Sequence, residues 1–283
     1  MLPGKPFGNC LFMTPALFDA RMARLRASGA TVLPLGEAVA RLAANDLPPA
    51  SVAITIDDGW VSTHTHMLPT LERYQFPATL YATTWYAGRA FPVANVAVAH
   101  LIEAAGRGDL DRWVETRRIE ALPLEQRLGA LRDFGRSLGQ GEAWLETRQF
   151  NLMGADELAD AHRRGLDIQL HTHRHIDVHA QIDSLAQEVA DNRAYLTAAT
   201  GAPAEHFCYP SGTWHPRAAA TLVACGVRSA TLVDEGINAP GADPYALRRF
   251  LDGPRVTTVG FDAYLSGTLH YFSALRGGVR GVA

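Results

Sequence analysis

Two neighbouring carboxylates at the end of an apolar run are the first feature with chemical potential. Asp57 and Asp58 follow Ser51–Ile56, a β-branched and apolar stretch, and are followed at once by Gly59 and Trp60. Adjacent carboxylates repel, and burying them is costly unless a cation compensates. A divalent metal fills that role. The competing reading is an Asp-Gly turn with both carboxylates in water. The second feature is His171, His173, His175 and His179, four of the eleven histidines, directly after the apolar run Leu166–Leu170. Neutral imidazole is the commonest metal ligand. In an extended chain His171, His173 and His175 would point one way, whereas in a helical turn His171 and His175 would share a face; the spacing leaves both open. Asp58 with two of these imidazoles would form a two-histidine, one-carboxylate set with open positions, suited to a hydrolytic zinc or a non-haem iron. Surface histidines around Arg174 are the competing reading, and their density after an apolar strand favours a metal.

The elements that must deliver these groups alternate between strand-like and helix-like. Phe18, Met22 and Leu25 have helical spacing, closed by Gly29. Thr31–Leu35 reads as a strand despite its proline, and Ser51–Ile56 as a strand buried on both faces. Met67, Leu68, Leu71 and Tyr74 mark a helix, and Ala78–Thr83 a strand. Residues 90–150 are helical in pattern, broken by glycines, and read as an insertion with too few apolar residues for a core of its own. A short helix between Gly154 and Gly165 then precedes the strand Leu166–Leu170. Helices are expected over 184–200 and 216–225, with strands over 206–209 and 227–233. Phe261, Leu265, Thr268, Phe272 and Leu275 predict a closing amphipathic helix. The pattern implies an α/β fold with a parallel sheet, open or closed into a barrel, in one domain over residues 1–283. Both clusters then lie at carboxyl ends of strands, where such folds place their sites.

Composition excludes several classes. The net charge is −3, and no basic stripe points to nucleic acid. No apolar run approaches a membrane span. The N-terminal stretch is a poor signal peptide, and Cys10, Cys208 and Cys225 are too few and too scattered for a disulfide framework. Cytoplasm is the expected compartment. Oligomeric state is left open.

Thr55-Ile56-Asp57-Asp58-Gly59, followed by His171-Thr172-His173-Arg174-His175, resembles the polysaccharide deacetylase family (NodB-homology fold, carbohydrate esterase family 4). That family carries Thr-Phe-Asp-Asp-Gly and His-Ser/Thr-x-x-His. The likeness extends to Leu68-Pro69 and to Phe76–Tyr81, and covers roughly residues 15–265 apart from the insertion. It implies a distorted (β/α) barrel, either complete or lacking a first strand. It also implies a metal-dependent hydrolase that removes N-acetyl groups from an amino sugar in a polysaccharide or glycoconjugate, with zinc as the expected ion. By the resemblance Asp57 is the general base, Asp58, His171 and His175 hold the metal, and Thr172 buttresses the loop. Phe207-Cys208-Tyr209-Pro210-Ser211-Gly212 is similar to the family's Phe-Ala-Tyr-Pro-Tyr-Gly form, with the Ser211 N–H as oxyanion donor. Arg249, in Leu247-Arg248-Arg249-Phe250, is similar to the Leu-x-Arg arginine and would orient Asp57.

The family's Leu-x-His acid has no counterpart here. His270 falls in the expected terminal helix, leaving His173, His215 or a metal-bound water as the acid. Trp60, Trp85, Tyr86, Tyr209 and Trp214 are candidates for stacking on sugar or for ordinary packing. Competing functions are an amidohydrolase acting on a non-sugar amide, a catalytically impaired glycan-binding homologue, and an iron-dependent oxygenase with the same ligands. The metallo-β-lactamase motif fails at His175, and the zincin motif at Thr172.

Overall fold

A computed structural model describes residues 12–89 and 92–268. Thr14 caps the first helix, α1 (Pro15–Ala27), accepting the Leu17 N–H at 3.2 Å, and Pro15 sits where its missing N–H is harmless. Phe18, Met22 and Leu25 turn inward, as their spacing predicts. β1 (Thr31–Val32) is shorter than expected, because Pro34 precedes a second helix, α2 (Leu35–Ala44). The run expected as one strand from Ser51 to Ile56 is divided at Ala53. β2 (Ser51–Val52) pairs with β1, whereas β3 (Ile54–Asp58) pairs with β4 (Ala78–Ala82) in a different sheet.

That larger sheet is parallel, five-stranded and in sequence order: β3, β4, β5 (Leu166–Leu170), β6 (His206–Cys208) and β7 (Ser229–Thr231). It curls into a half-barrel, the distorted barrel that the sequence led us to expect. The crossovers are helical: α3 (Leu68–Tyr74) after β3, α8 (Ala155–Arg163) before β5, α9 (Leu185–Thr200) before β6 and α10 (Ala218–Ala224) before β7. Every residue of β4 is buried, as expected for a central parallel strand with both faces covered. Leu80, Leu170, Phe207 and Ala230 are fully buried in one contiguous core with Leu185 and Val189 of α9. Polar side chains inside the sheet are paired: Thr79 Oγ1 donates to Asp167 (2.9 Å), and the Tyr81 and Thr231 hydroxyls share a 2.9 Å hydrogen bond.

Between β4 and α8 lie α4 (Ala94–Ala104), α5 (Arg112–Glu120), α6 (Leu124–Ser137) and α7 (Ala143–Glu146). They bury a cluster of their own, including Val98, Leu101, Ile119, Leu131, Phe134 and Trp144. The expectation that this stretch is too poor in apolar residues for a core is corrected. Small residues do part of the work: Ala94 and Ala97 are fully buried, and a Cβ at Gly135 would stand 3.3 Å from Leu101. The last described helix, α11 (Thr258–Leu265), is capped by Thr257 and ends at Ser266. Its expected continuation through Phe272 and Leu275 lies outside the described residues. Among the described residues no helix is long and apolar enough to cross a membrane.

His206, 5% exposed in β6, is expected to give the fold a pH dependence. Its Nδ1 shares a 2.8 Å hydrogen bond with Ser229 Oγ, and burial pushes its pKa below the ordinary value. Below pH about 6.5 the unfolded chain binds a proton that the native one excludes, so stability falls as pH drops through that window, by up to about 1.4 kcal/mol per pH unit. His206→Asn, which retains a partner for Ser229, is expected to flatten this slope in urea titrations between pH 7 and 5. An unchanged slope would place the effect elsewhere.

Candidate metal and catalytic site

Three strand ends converge. β3 delivers Asp57 and Asp58, β5 runs into His171, and β6 runs into Tyr209, Pro210 and Ser211. The backbone is strained at these exits. Asp58 (φ 74°), Thr172 (φ 60°), His175 (φ 55°) and Ser211 (φ 54°) are half of the non-glycine residues with positive φ among those described. Each such conformation costs on the order of 1–3 kcal/mol and persists only where the surroundings enforce it. Gly59 (φ 96°) completes the first turn, and a Cβ there would meet Ala82 at 3.4 Å.

The turn at Thr172 brings His171 and His175, and not His173, to Asp58. Residues 171–175 form neither a strand nor a helix. His171 Nε2 and His175 Nε2 each lie 3.4 Å from Asp58 Oδ1. His173 turns away, its Nδ1 sharing a 2.8 Å hydrogen bond with Thr84 Oγ1. His171 Nδ1 donates to the Cys208 carbonyl at 2.8 Å, which leaves its Nε2 lone pair facing Asp58. The Trp60 indole N–H holds the other Asp58 oxygen at 2.9 Å. Burial works against the Asp58 charge, but in the metal-free protein His171 and His175, each donating from Nε2 when protonated, outweigh it and hold the carboxyl well below the usual carboxylate range.

This donor set fits a divalent cation. Two ligands about 2.05 Å from zinc across a tetrahedral angle stand roughly 3.3 Å apart, close to the 3.4 Å separations found here. A second group, Asp57, His171 and Cys208, also has donor atoms within 4.8 Å of one another, but its electrostatics are wrong for a metal. Arg249 occupies both Asp57 oxygens, at 2.8 and 2.5 Å, and its Nη2 reaches Cys208 Sγ at 3.3 Å. Burial, then the Asp57 carboxylate, holds the Cys208 thiol well above its usual pKa and therefore neutral. Burial opposes the Arg249 charge too, but Asp57 outweighs it and raises the pKa. Leu247, bridged to Thr231 of β7, brings Arg249 to this position.

Sequence reasoning missed two residues that hold the histidine loop. Asn192 of α9, fully buried, accepts the His171 N–H at 2.9 Å and donates to the Ala82 carbonyl and Thr84 Oγ1, both at 2.9 Å. Glu188, one turn earlier, accepts the Arg174 N–H at 2.7 Å. The available signal was two polar residues on the buried stripe of Leu185, Val189 and Leu196. Thr172 Oγ1 accepts the Ile176 N–H at 3.3 Å, a buttress within the loop.

Asp57, Asp58, His171, His175, Ser211 and Arg249 all line one cavity of about 1640 Å³. His173 and His215 do not line it; His215 packs against the His179 ring at 5.4 Å. His270 lies outside the described residues. Ser211 is held in place by Gly212, whose φ is 71° and where a Cβ would fall 2.1 Å from Val233 Cγ2. Gly212→Ala is expected to destabilise the fold by about 2–4 kcal/mol, read from denaturant titration. Val233→Ala in the same chain should recover part of that loss, and no recovery would reject the clash as the cause.

A family model described as polysaccharide deacetylase matches residues 44–230. The chain belongs to the polysaccharide deacetylase family. No curated protein sequence matches it. Solved structures agree on the fold of this family member. The Streptococcus pyogenes deacetylase PplD, in complex with acetate, is 18% identical, with a TM-score of 0.64 over 94% of this chain and 92% of that one. IcaB from Ammonifex degensii is 19% identical, with a TM-score of 0.65 over 94% and 91%. A de-N-acetylase from Aggregatibacter actinomycetemcomitans is 13% identical, with a TM-score of 0.64 over 93% and 94%.

Proposed function

We propose that this polysaccharide deacetylase family member is a metal-dependent hydrolase that removes N-acetyl groups from an amino sugar of a polysaccharide or glycoconjugate. The observation that carries the reading is the convergence of Asp58, His171 and His175 beside an Arg249-held Asp57 in one cavity. Asp58, His171 and His175 would hold the ion, with zinc expected from the mixed oxygen and nitrogen donors. When bound, a divalent metal supplies Lewis-acid polarisation of the amide carbonyl and acidifies water.

The chain's own residues do the rest. Asp57, fixed by the Arg249 fork, takes the proton from the attacking water. The Ser211 N–H, for which no hydrogen-bond acceptor is found among the described residues, is the donor offered to the oxyanion. The departing amine requires a proton. The Asp57 carboxyl formed in the first step carries one, and neither His173 nor His215 lines the cavity to compete.

Acetate release from N-acetylglucosamine oligomers tests the reading. Activity is expected to vanish after chelation and dialysis, and to return with one equivalent of zinc per chain. Full activity in the stripped protein would overturn the metal-dependent reading.

A further inference from the structure

The cavity is larger than one amino sugar requires. Ligand pockets are commonly about 300–1,000 Å³, and this one holds about 1640 Å³. From the catalytic residues it continues past Trp85 and Tyr86 to the wall formed by the helical insertion, where Arg112, Trp113, Thr116 and Arg117 of α5 line it. The two ends are physically joined. The Thr84 and Trp85 N–H groups donate to the His173 carbonyl (3.2 and 2.7 Å), and the Tyr86 hydroxyl donates to Glu120 of α5 at 3.4 Å.

The charges along this cavity are unequally compensated. Asp57 is paired with Arg249, Asp252 with Arg21, and Arg174 with Glu188. Arg112 and Arg117 have no carboxylate within salt-bridge distance among the described residues. Glu120, the one carboxylate on that wall, is engaged by Tyr86 and stands near Arg127. Between the two arginines Thr116 is 2% exposed, and its hydroxyl has no hydrogen-bond partner among the described residues. Arg112 also lies over the half-exposed Trp113 ring, 4.7 Å from its centroid. Two uncompensated guanidinium forks and an unsatisfied hydroxyl beside an aromatic face suit an anionic phosphate ester, whose tetrahedral oxygens accept hydrogen bonds from several directions at once. A carboxylate presents its acceptors in one plane only.

We propose that the α5 wall is a recognition subsite for a phosphate group on the substrate, so that the amino sugar processed at Asp57 is phosphate-linked. The inference rests on the deacetylase reading for the position of the sugar, but not for the phosphate site itself. Two sources share this chemistry: a sugar joined through phosphate to an apolar chain, and one joined to a nucleoside.

Calorimetric titration separates these cases. The probes are N-acetylglucosamine, its 1-phosphate, an octyl ester of that phosphate, and the uridine diphosphate sugar, with acetate release followed in parallel. The phosphorylated sugars are expected to bind at least about tenfold tighter than the neutral one, with the preference shrinking as salt rises. Arg112→Gln/Arg117→Gln should abolish the preference, and Arg112→Lys/Arg117→Lys should retain part of it. Unchanged circular dichroism in both variants would show that folding is intact. Tighter binding of the octyl ester assigns the lipid source, and tighter binding of the uridine diphosphate sugar the nucleotide source. Equal binding of neutral and phosphorylated sugars, or a preference that survives the double glutamine variant, overturns the inference. A phosphate preference without acetate release from any probe would support the subsite and count against the deacetylase reading. Acetate release without the preference would do the reverse.

Discussion

Asp57→Asn is expected to lower kcat for acetate release by roughly 10²–10⁴-fold while the protein still binds one zinc per chain. Asparagine keeps the shape of the side chain and one acceptor for Arg249, but it takes up no proton from water. General-base catalysis is worth about that factor. Metal binding should survive because the convergent donors are Asp58, His171 and His175, whereas both Asp57 oxygens face the Arg249 guanidinium. The variant should also be less stable by roughly 1–3 kcal/mol, since a largely buried guanidinium loses its counter-charge. Kinetics and elemental analysis on the same preparation read both effects. Loss of zinc in step with loss of activity would contradict the division of labour between the two aspartates.

His171→Ala should behave in the opposite way. The side chain is 1% exposed, its Nε2 faces Asp58, and its Nδ1 is tied to the Cys208 carbonyl. Its removal would delete one of the three proposed ligands, empty a buried volume and leave that carbonyl short of a donor. Zinc binding should fall to background and turnover with it. The apo-protein should lose about 2–4 kcal/mol. Zinc should raise the melting temperature of the wild type by mass action and leave that of the variant unchanged. Stoichiometric zinc in the variant would remove His171 from the ligand set.

Local pattern foretold much of this arrangement and long-range geometry did not. The apolar runs before Asp57 and His171 read as strands because both faces are buried, and their ends necessarily point to the same rim of a parallel sheet. Arg249, 192 positions from Asp57 in sequence, was reachable only through the resemblance; in the fold it grips both carboxylate oxygens. The choice between His173 and His175 was not in the spacing. It follows from a left-handed residue at Thr172, whose buried hydroxyl accepts the Ile176 N–H. Asn192 and Glu188 were hidden because a helical stripe does not reveal which polar positions turn inward. The division at Ala53 escaped for a related reason, since its two halves pair with different sheets and periodicity does not report partners. The insertion's core was underestimated because alanines and a glycine contribute contact without apolar bulk.

The central claim is that Asp58, His171 and His175 share one divalent cation. Diffraction from crystals grown with zinc, recorded on both sides of the zinc absorption edge, tests it most directly. A single strong anomalous peak is expected about 2.0–2.2 Å from one Asp58 oxygen and from Nε2 of each histidine. A peak elsewhere, or no peak with the three side chains turned apart, would contradict it.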